Sequence, residues 1–141
     1  MYLFDTDIVT HPLKPRPQSA LVTRLSALGK EQQHISTVTL GEIIYGALRS
    51  PRPSYHLARL QQLVLPRVQV LPYDADAAHR YGAIRAELER SGQPLADLDL
   101  QVAAIALSRG LTLVTGNTRH FERVPGLRVE NWLAKTAPPG A

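Results

Sequence analysis

Residues Tyr2-Leu3-Phe4-Asp5-Thr6-Asp7 set three strand-favouring apolar side chains directly before two carboxylates. A short apolar run without alternation reads as a strand buried on both faces of a sheet. Its last residue then lies at the sheet's carboxyl edge, where open α/β sheets bind their ligands. Asp7 can cap a helix starting there, because a carboxylate accepts bonds from free backbone N–H groups. Both acids equally suit an ordinary turn and helix start. What the stretch does therefore depends on which other acids reach the same edge.

His34–Val38, Val68–Leu71, Leu111–Thr115 and Leu127–Val129 read as strands, and helical periodicity fills the intervals. Pro12, Pro15 and Pro17 forbid a continuous helix after Asp7. Leu21, Val22, Leu25 and Leu28 mark a helix over 18–28, with Gly29 as its stop. Thr39 and Glu42 match a capping box, which predicts a helix opening at Thr39 and running to Arg49. Ser54 is a candidate cap for a helix ended by Pro66. Asp74 or Asp76 opens a long helix to Arg90, with Ala77, Tyr81, Ile84 and Leu88 inward and Arg85 paired with Glu89 outside. Leu98–Arg109 is apolar almost all round, the signature of a buried helix, and Asp97 and Asp99 stand at its start. Strands alternating with helices imply a parallel sheet with right-handed crossovers, an α/β fold. Trp132 reads as core filler, and the stretch 135–141 as a flexible tail behind a single domain over 1–134.

Composition bounds the function. The chain has 141 residues, enough for one domain with a real core. No stretch approaches the ~18 continuous apolar residues of a membrane span. Without cysteine, zinc–thiolate sites, disulfides and thiol nucleophiles are excluded. The N-terminus has no signal-peptide pattern, so a cytoplasmic protein is expected. A net charge of +4 leans toward a polyanionic partner. Lys14, Lys30 and Lys135 are the only lysines among 16 basic residues; the rest are arginines, which fork onto phosphate oxygens.

On the predicted sheet, Asp5, Glu42, Asp99 and Asn117 all fall at strand ends or helix starts on one edge. Three carboxylates converging there repel one another unless a cation neutralises them. Hard oxygen ligands suit Mg²⁺ or Mn²⁺. Such an ion activates a bound water and stabilises charge on a phosphate. Metal-dependent hydrolysis of nucleic acid is the reaction this points to. The five histidines show no paired metal spacing such as H-E-x-x-H. Thr6 and Thr115 are hydroxyls placed to bond carboxylates or metal waters. Arg119 and His120 lie beside the expected cleft, with an RNA-backbone or structural role favoured over acid–base chemistry.

Leu3-Phe4-Asp5-Thr6-Asp7, Thr39-Leu40-Gly41-Glu42-Ile43 and Asp99-Leu100-Gln101-Val102-Ala103-Ala104 resemble the acidic motifs of PIN-domain ribonucleases. Leu113–Phe121, followed by Val129-Glu130-Asn131-Trp132, is similar to the end of VapC-type toxins. The resemblance spans nearly the whole chain in order, and its specificity lies in the combination. It implies a three-layer α/β/α fold with a five-stranded parallel sheet, Mg²⁺-dependent endoribonuclease activity, a homodimer and a VapB-type antitoxin. It makes Asp5 and Asp99 the principal metal ligands and Glu42 the third acid. Asn117 stands where a fourth acid is common, so a second metal should bind weakly. Asp7 is expected to orient the ligands, and Asp97 to help from behind or simply cap the helix.

Two alternatives remain on sequence grounds. A haloacid-dehalogenase-like phosphatase would use Asp5 as nucleophile and Asp7 as acid, but it wants a lysine, and none lies between Lys30 and Lys135. A basic domain that binds RNA or a partner without cutting is the other.

Overall fold

The computed structural model describes residues 1–133. The expected boundary after residue 134 and the tail over 135–141 lie outside the described residues.

Five parallel strands form one sheet: β1 (Tyr2–Phe4), β2 (Gln33–Ser36), β3 (Gln69–Leu71), β4 (Thr112–Val114) and β5 (Val129–Glu130), in the order β3-β2-β1-β4-β5. The helices are α1 (Thr6–Val9), α2 (Ser19–Ser26), α3 (Thr37–Leu48), α4 (Pro53–Arg59), α5 (Ala75–Arg90), α6 (Asp97–Arg109) and α7 (Thr118–Phe121). The α/β expectation is met.

Side chains alternate across the strands, so each face has its own core. Leu3 and Leu113 point to one face, where they meet Ala77, Ile84 and Leu88 of α5, Leu100, Val102, Ala103 and Ile105 of α6, and Phe121. Phe4, Ile35 and Val114 point to the other, against Ile8, Leu21, Leu60, Val64 and Trp132. Burial of Leu3 on one face and Phe4 on the other explains why β1 reads as an unbroken apolar run rather than an alternating one.

The chain runs β1, β2, β3 toward one side of the sheet, then crosses over to place β4 beside β1. The reversal leaves a crevice outside the carboxyl ends of β1 and β4, the topological switch point of this sheet. The register pairs Tyr2 with Thr112, Leu3 with Leu113 and Phe4 with Val114. Asp5 N–H continues the ladder to Val114 O at 2.9 Å. Residues 5 and 115 are thereby set side by side at this crevice.

Several helix starts differ from expectation. Asp5, not Asp7, caps α1: its Oδ1 accepts the Thr6 N–H at 2.9 Å. α3 begins at Thr37, with Ser36 Oγ accepting the Thr39 N–H at 2.9 Å. The Thr39–Glu42 capping box is therefore not used, since Thr39 already lies inside the helix. α4 begins at Pro53, whose missing N–H suits the first helical position, and Ser54 does not cap it. That helix passes into a π turn at Leu60–Val64. Asp74 rather than Asp76 caps α5, accepting the Ala77 N–H at 3.0 Å.

Candidate metal-dependent active site

Asp5 sits at the end of β1, where one carboxylate oxygen is committed to capping α1. The other, Oδ2, accepts a 2.9 Å bond from the Thr115 hydroxyl. Thr115 is fully buried, and its Oγ1 also accepts the Asn117 N–H at 3.0 Å. This one side chain thus ties the turn after β4 to the acid after β1. Asp7, in the first turn of α1, accepts the Gly116 N–H at 2.8 Å. A Cβ on residue 116 would meet that carboxylate, so a larger residue there would have to push the Asp7 side chain aside. Thr6 Oγ1, between the two acids, is buried with no hydrogen-bond partner among the described residues.

Glu42 reaches the same edge from α3 and Asp99 from α6. Glu42, Asp99 and Asp7 each feel the Asp5 charge. Burial first, then the Asp5 and Asp99 charges, push the Glu42 carboxyl above its ordinary range. Burial and Asp5 push Asp99 up, and His120 opposes that shift. Burial and Asp5 likewise raise Asp7, against its N–H bonds from Gly116 and the first turn of α1. Like charges disfavouring one another's ionised form are the mark of carboxylates sharing one site.

Asn117 stands at the start of α7, and its Nδ2 lies 2.9 Å from His120 Nδ1. His120 Nδ1 is 3.9 Å from Asp99 Oδ2. Sequence reasoning gave His120 and Gly116 little weight. The only available signal was their place in the polar turn after β4.

Asp97 is not brought to this group. Its Oδ1 accepts the Tyr81 hydroxyl at 3.0 Å and lies 3.3 Å from Arg85 Nη1, so it braces α6 against α5. The helix cap is Ala96, without a side-chain bond. Asp97 is thus neither cap nor direct support of the acidic edge. Arg119 lies on α7 next to the turn, with no ion pair among the described residues.

The donor set fits a hard divalent cation. Asp5, Glu42 and Asp99 offer only carboxylate oxygens, and none has a lysine or arginine ion pair among the described residues. As they stand, no three acidic or imidazole groups among the described residues are grouped closely enough to hold a metal ion.

The geometry has counterparts among known proteins. The PIN domain family model matches residues 2–127. The tRNA(fMet)-specific endonuclease VapC of Shigella flexneri is 47% identical over 131 residues, covering 93% of this chain and 97% of the relative. The DNA-bound VapBC structure from Salmonella typhimurium superposes with a TM-score of 0.83 at 42% identity, over 94% of this chain and 98% of that one. The FitAcB structure from Neisseria gonorrhoeae gives a TM-score of 0.85 at 30% identity, again over 94% and 98%. The chain belongs to the PIN-domain family, in its VapC group. This membership sets aside the phosphatase alternative.

Proposed function

We propose that this chain is a divalent-cation-dependent endoribonuclease, the toxin of a toxin–antitoxin pair, which hydrolyses phosphodiester bonds in cellular RNA. What supports the reading is that Asp5, at the end of β1 beside Thr115, raises the carboxyls of both Glu42 and Asp99, acids carried by two other elements. Asp5 and Asp99 hold the ion and Glu42 completes the acidic set. Mg²⁺ is the expected ion and Mn²⁺ an effective substitute. When bound, it lowers the pKa of a water and stabilises charge on the phosphate. Thr115 fixes the orientation of Asp5, and Asp7 fixes the turn at Gly116. The orphan Thr6 hydroxyl is a donor for a ligand water. Asn117 contributes no charge, which limits the site to one tightly held ion, and Arg119 contacts the RNA backbone.

A VapB-type antitoxin is the expected partner, in keeping with the VapBC assembly of the Salmonella typhimurium relative. A homodimer, a cytoplasmic setting and a single domain over 1–134 complete the proposal. Among the described residues no helix is long and apolar enough to cross a membrane. Because the Shigella flexneri relative is a tRNA(fMet)-specific endonuclease, tRNA(fMet) is the first substrate to try.

The test is RNA cleavage by purified protein, with sequencing of the RNA ends. Cleavage should stop with a chelator, return with Mg²⁺ and be lost in Asp5→Asn. A parent protein that binds RNA but never cuts it, with Mg²⁺ present, makes the chain a binding domain instead.

A further inference from the structure

Tyr45 is an aromatic ring that the fold leaves in solvent, 64% exposed, on the helix that carries Glu42. Glu42, Tyr45 and Arg49 follow one another at i, i+3 and i+7, so they share one face of α3. The Arg49 guanidinium lies 5.7 Å from the Tyr45 ring centroid. Between α3 and α6 runs an open trough lined by Val38, Gly41, Glu42, Tyr45, Leu98 and Gln101. Leu98, 48% exposed, immediately precedes Asp99. The trough is continuous with the acidic edge, because Glu42 belongs to both.

Gly41 adds a second, independent observation. Helical side chains lean toward the N-terminus, so the Tyr45 ring leans over the turn that contains Gly41. A Cβ at Gly41 would meet nothing within 4 Å. Packing therefore does not require glycine there, although glycine in an exposed helix costs about 1 kcal/mol relative to alanine. Its effect is to keep the space beside the ring bare.

We propose that this trough seats an unstacked nucleobase of the RNA next to the phosphate at the acidic edge, with Tyr45 as its stacking face. Arg49 takes the adjoining backbone phosphate, and the Gln101 amide faces the base edge. Aromatic faces backed by guanidinium groups are how proteins hold splayed single-stranded bases. The charges match this occupant: the Glu42 carboxylate in the trough lining suits a cation-bridged phosphate, and the Arg49 guanidinium lies 5.7 Å from the Tyr45 ring, one turn further along α3. The inference rests on the nuclease reading and adds a subsite to it.

The test uses the full chain and short single-stranded RNA. In cleavage with Mg²⁺, Tyr45→Ala should raise KM by about 5- to 150-fold, the range for losing one stacked base. Tyr45→Phe should stay within about twofold of the parent. Replacing the base beside the cut by an abasic residue should remove the difference between parent and Tyr45→Ala. Gly41→Gln, which fills the trough without touching the ring's chemistry, should weaken binding, while Gly41→Ala should not. In an Asp5→Asn background, 2-aminopurine at that position should be quenched on binding, and Tyr45→Ala should abolish the quenching.

The proposal is overturned if Tyr45→Ala keeps the parent's KM, or loses as much on abasic RNA as on intact RNA. It is equally overturned if Tyr45→Ala weakens binding to the antitoxin alone, which would assign the trough to a protein segment. A parent chain that cuts no RNA sinks the nuclease reading, and the quenching experiment then still decides the trough.

Discussion

The Thr115 hydroxyl donates a 2.9 Å hydrogen bond to Asp5 Oδ2, joining two strand ends that are 110 positions apart in sequence. It works because β1 and β4 are neighbours in the sheet although other strands separate them along the chain. One Asp5 oxygen caps a helix and the other is held by Thr115, so the carboxylate has little freedom to turn.

Thr115→Val keeps the shape of the side chain and removes both of its hydrogen bonds. The Asn117 N–H loses its acceptor and Asp5 its donor, which should cost about 1–3 kcal/mol of stability. Cleavage should fall about 10- to 100-fold, the usual effect of losing a bond that orients a metal ligand. Thr115→Ser, which retains the hydroxyl, should recover most of that rate. Denaturant melts and initial rates on one RNA check both effects.

Asp99→Asn and Asp97→Asn should separate cleanly. Asp99 faces the other acids, so its variant should keep the fold and lose RNA cleavage. Asp97 faces Tyr81 and Arg85, and that ion pair is half exposed on both sides. Exposed pairs are worth about 0–1 kcal/mol, so Asp97→Asn should lower stability slightly and leave the rate near the parent's. Equal loss of activity in both variants would place Asp97 in the site after all.

The raised carboxyls give stability a definite dependence on pH. Asp7, Glu42 and Asp99 bind protons more tightly in the folded chain than their ordinary values of 3.8, 4.5 and 3.8. Their contribution to stability is therefore full below those values and fades as pH rises through the raised folded ones. Asp74 works in the opposite sense, held low first by the Ala77 N–H and also by Arg109. A comparison of parent with Asp99→Asn cancels it, since both retain Asp74. In chelator at pH 7, Asp99→Asn should melt above the parent, and the gap should close as pH falls below 3.8.

Trp132 links the end of the chain's described part to β1. Its ring is edge-on to Tyr2 at 4.7 Å and to Phe4 at 5.5 Å, with the Arg24 guanidinium 3.9 Å from its centroid. Arg24 also pairs with Glu130 at 3.4 Å, but that pair is half exposed and contributes little. Burial of the indole dominates: Trp132→Ala should cost about 3–5 kcal/mol, against under about 1 kcal/mol for Glu130→Gln. Because Phe4 immediately precedes Asp5, the Trp132→Ala variant should also lose activity before it unfolds.

The α/β order was readable from β1 and β4, which are largely apolar, whereas β2 buries the polar Gln33, His34 and Ser36. The sheet edge followed from it, and with it the grouping of Asp5, Glu42 and Asp99. Local caps were less legible. Thr39 and Glu42 carry the letters of a capping box, yet Ser36, three residues earlier, ends β2 and takes the cap itself. Asp97 and Asp99 look equivalent in sequence. Only the packing of α6 on α5 sends one to Tyr81 and the other to the crevice. The bond between Thr115 and Asp5 was not legible as a contact, since it depends on which strand sits beside β1.

The central claim is that Asp5 and Asp99 hold one divalent ion between them. Mn²⁺ titration followed by electron paramagnetic resonance tests it directly, on the parent, Asp5→Asn and Asp99→Asn at one neutral pH. The parent should immobilise one ion per chain, and each variant should bind it at least about tenfold more weakly, in line with losing part of a carboxylate ligand set. Mn²⁺ bound as tightly by both variants as by the parent would contradict the account.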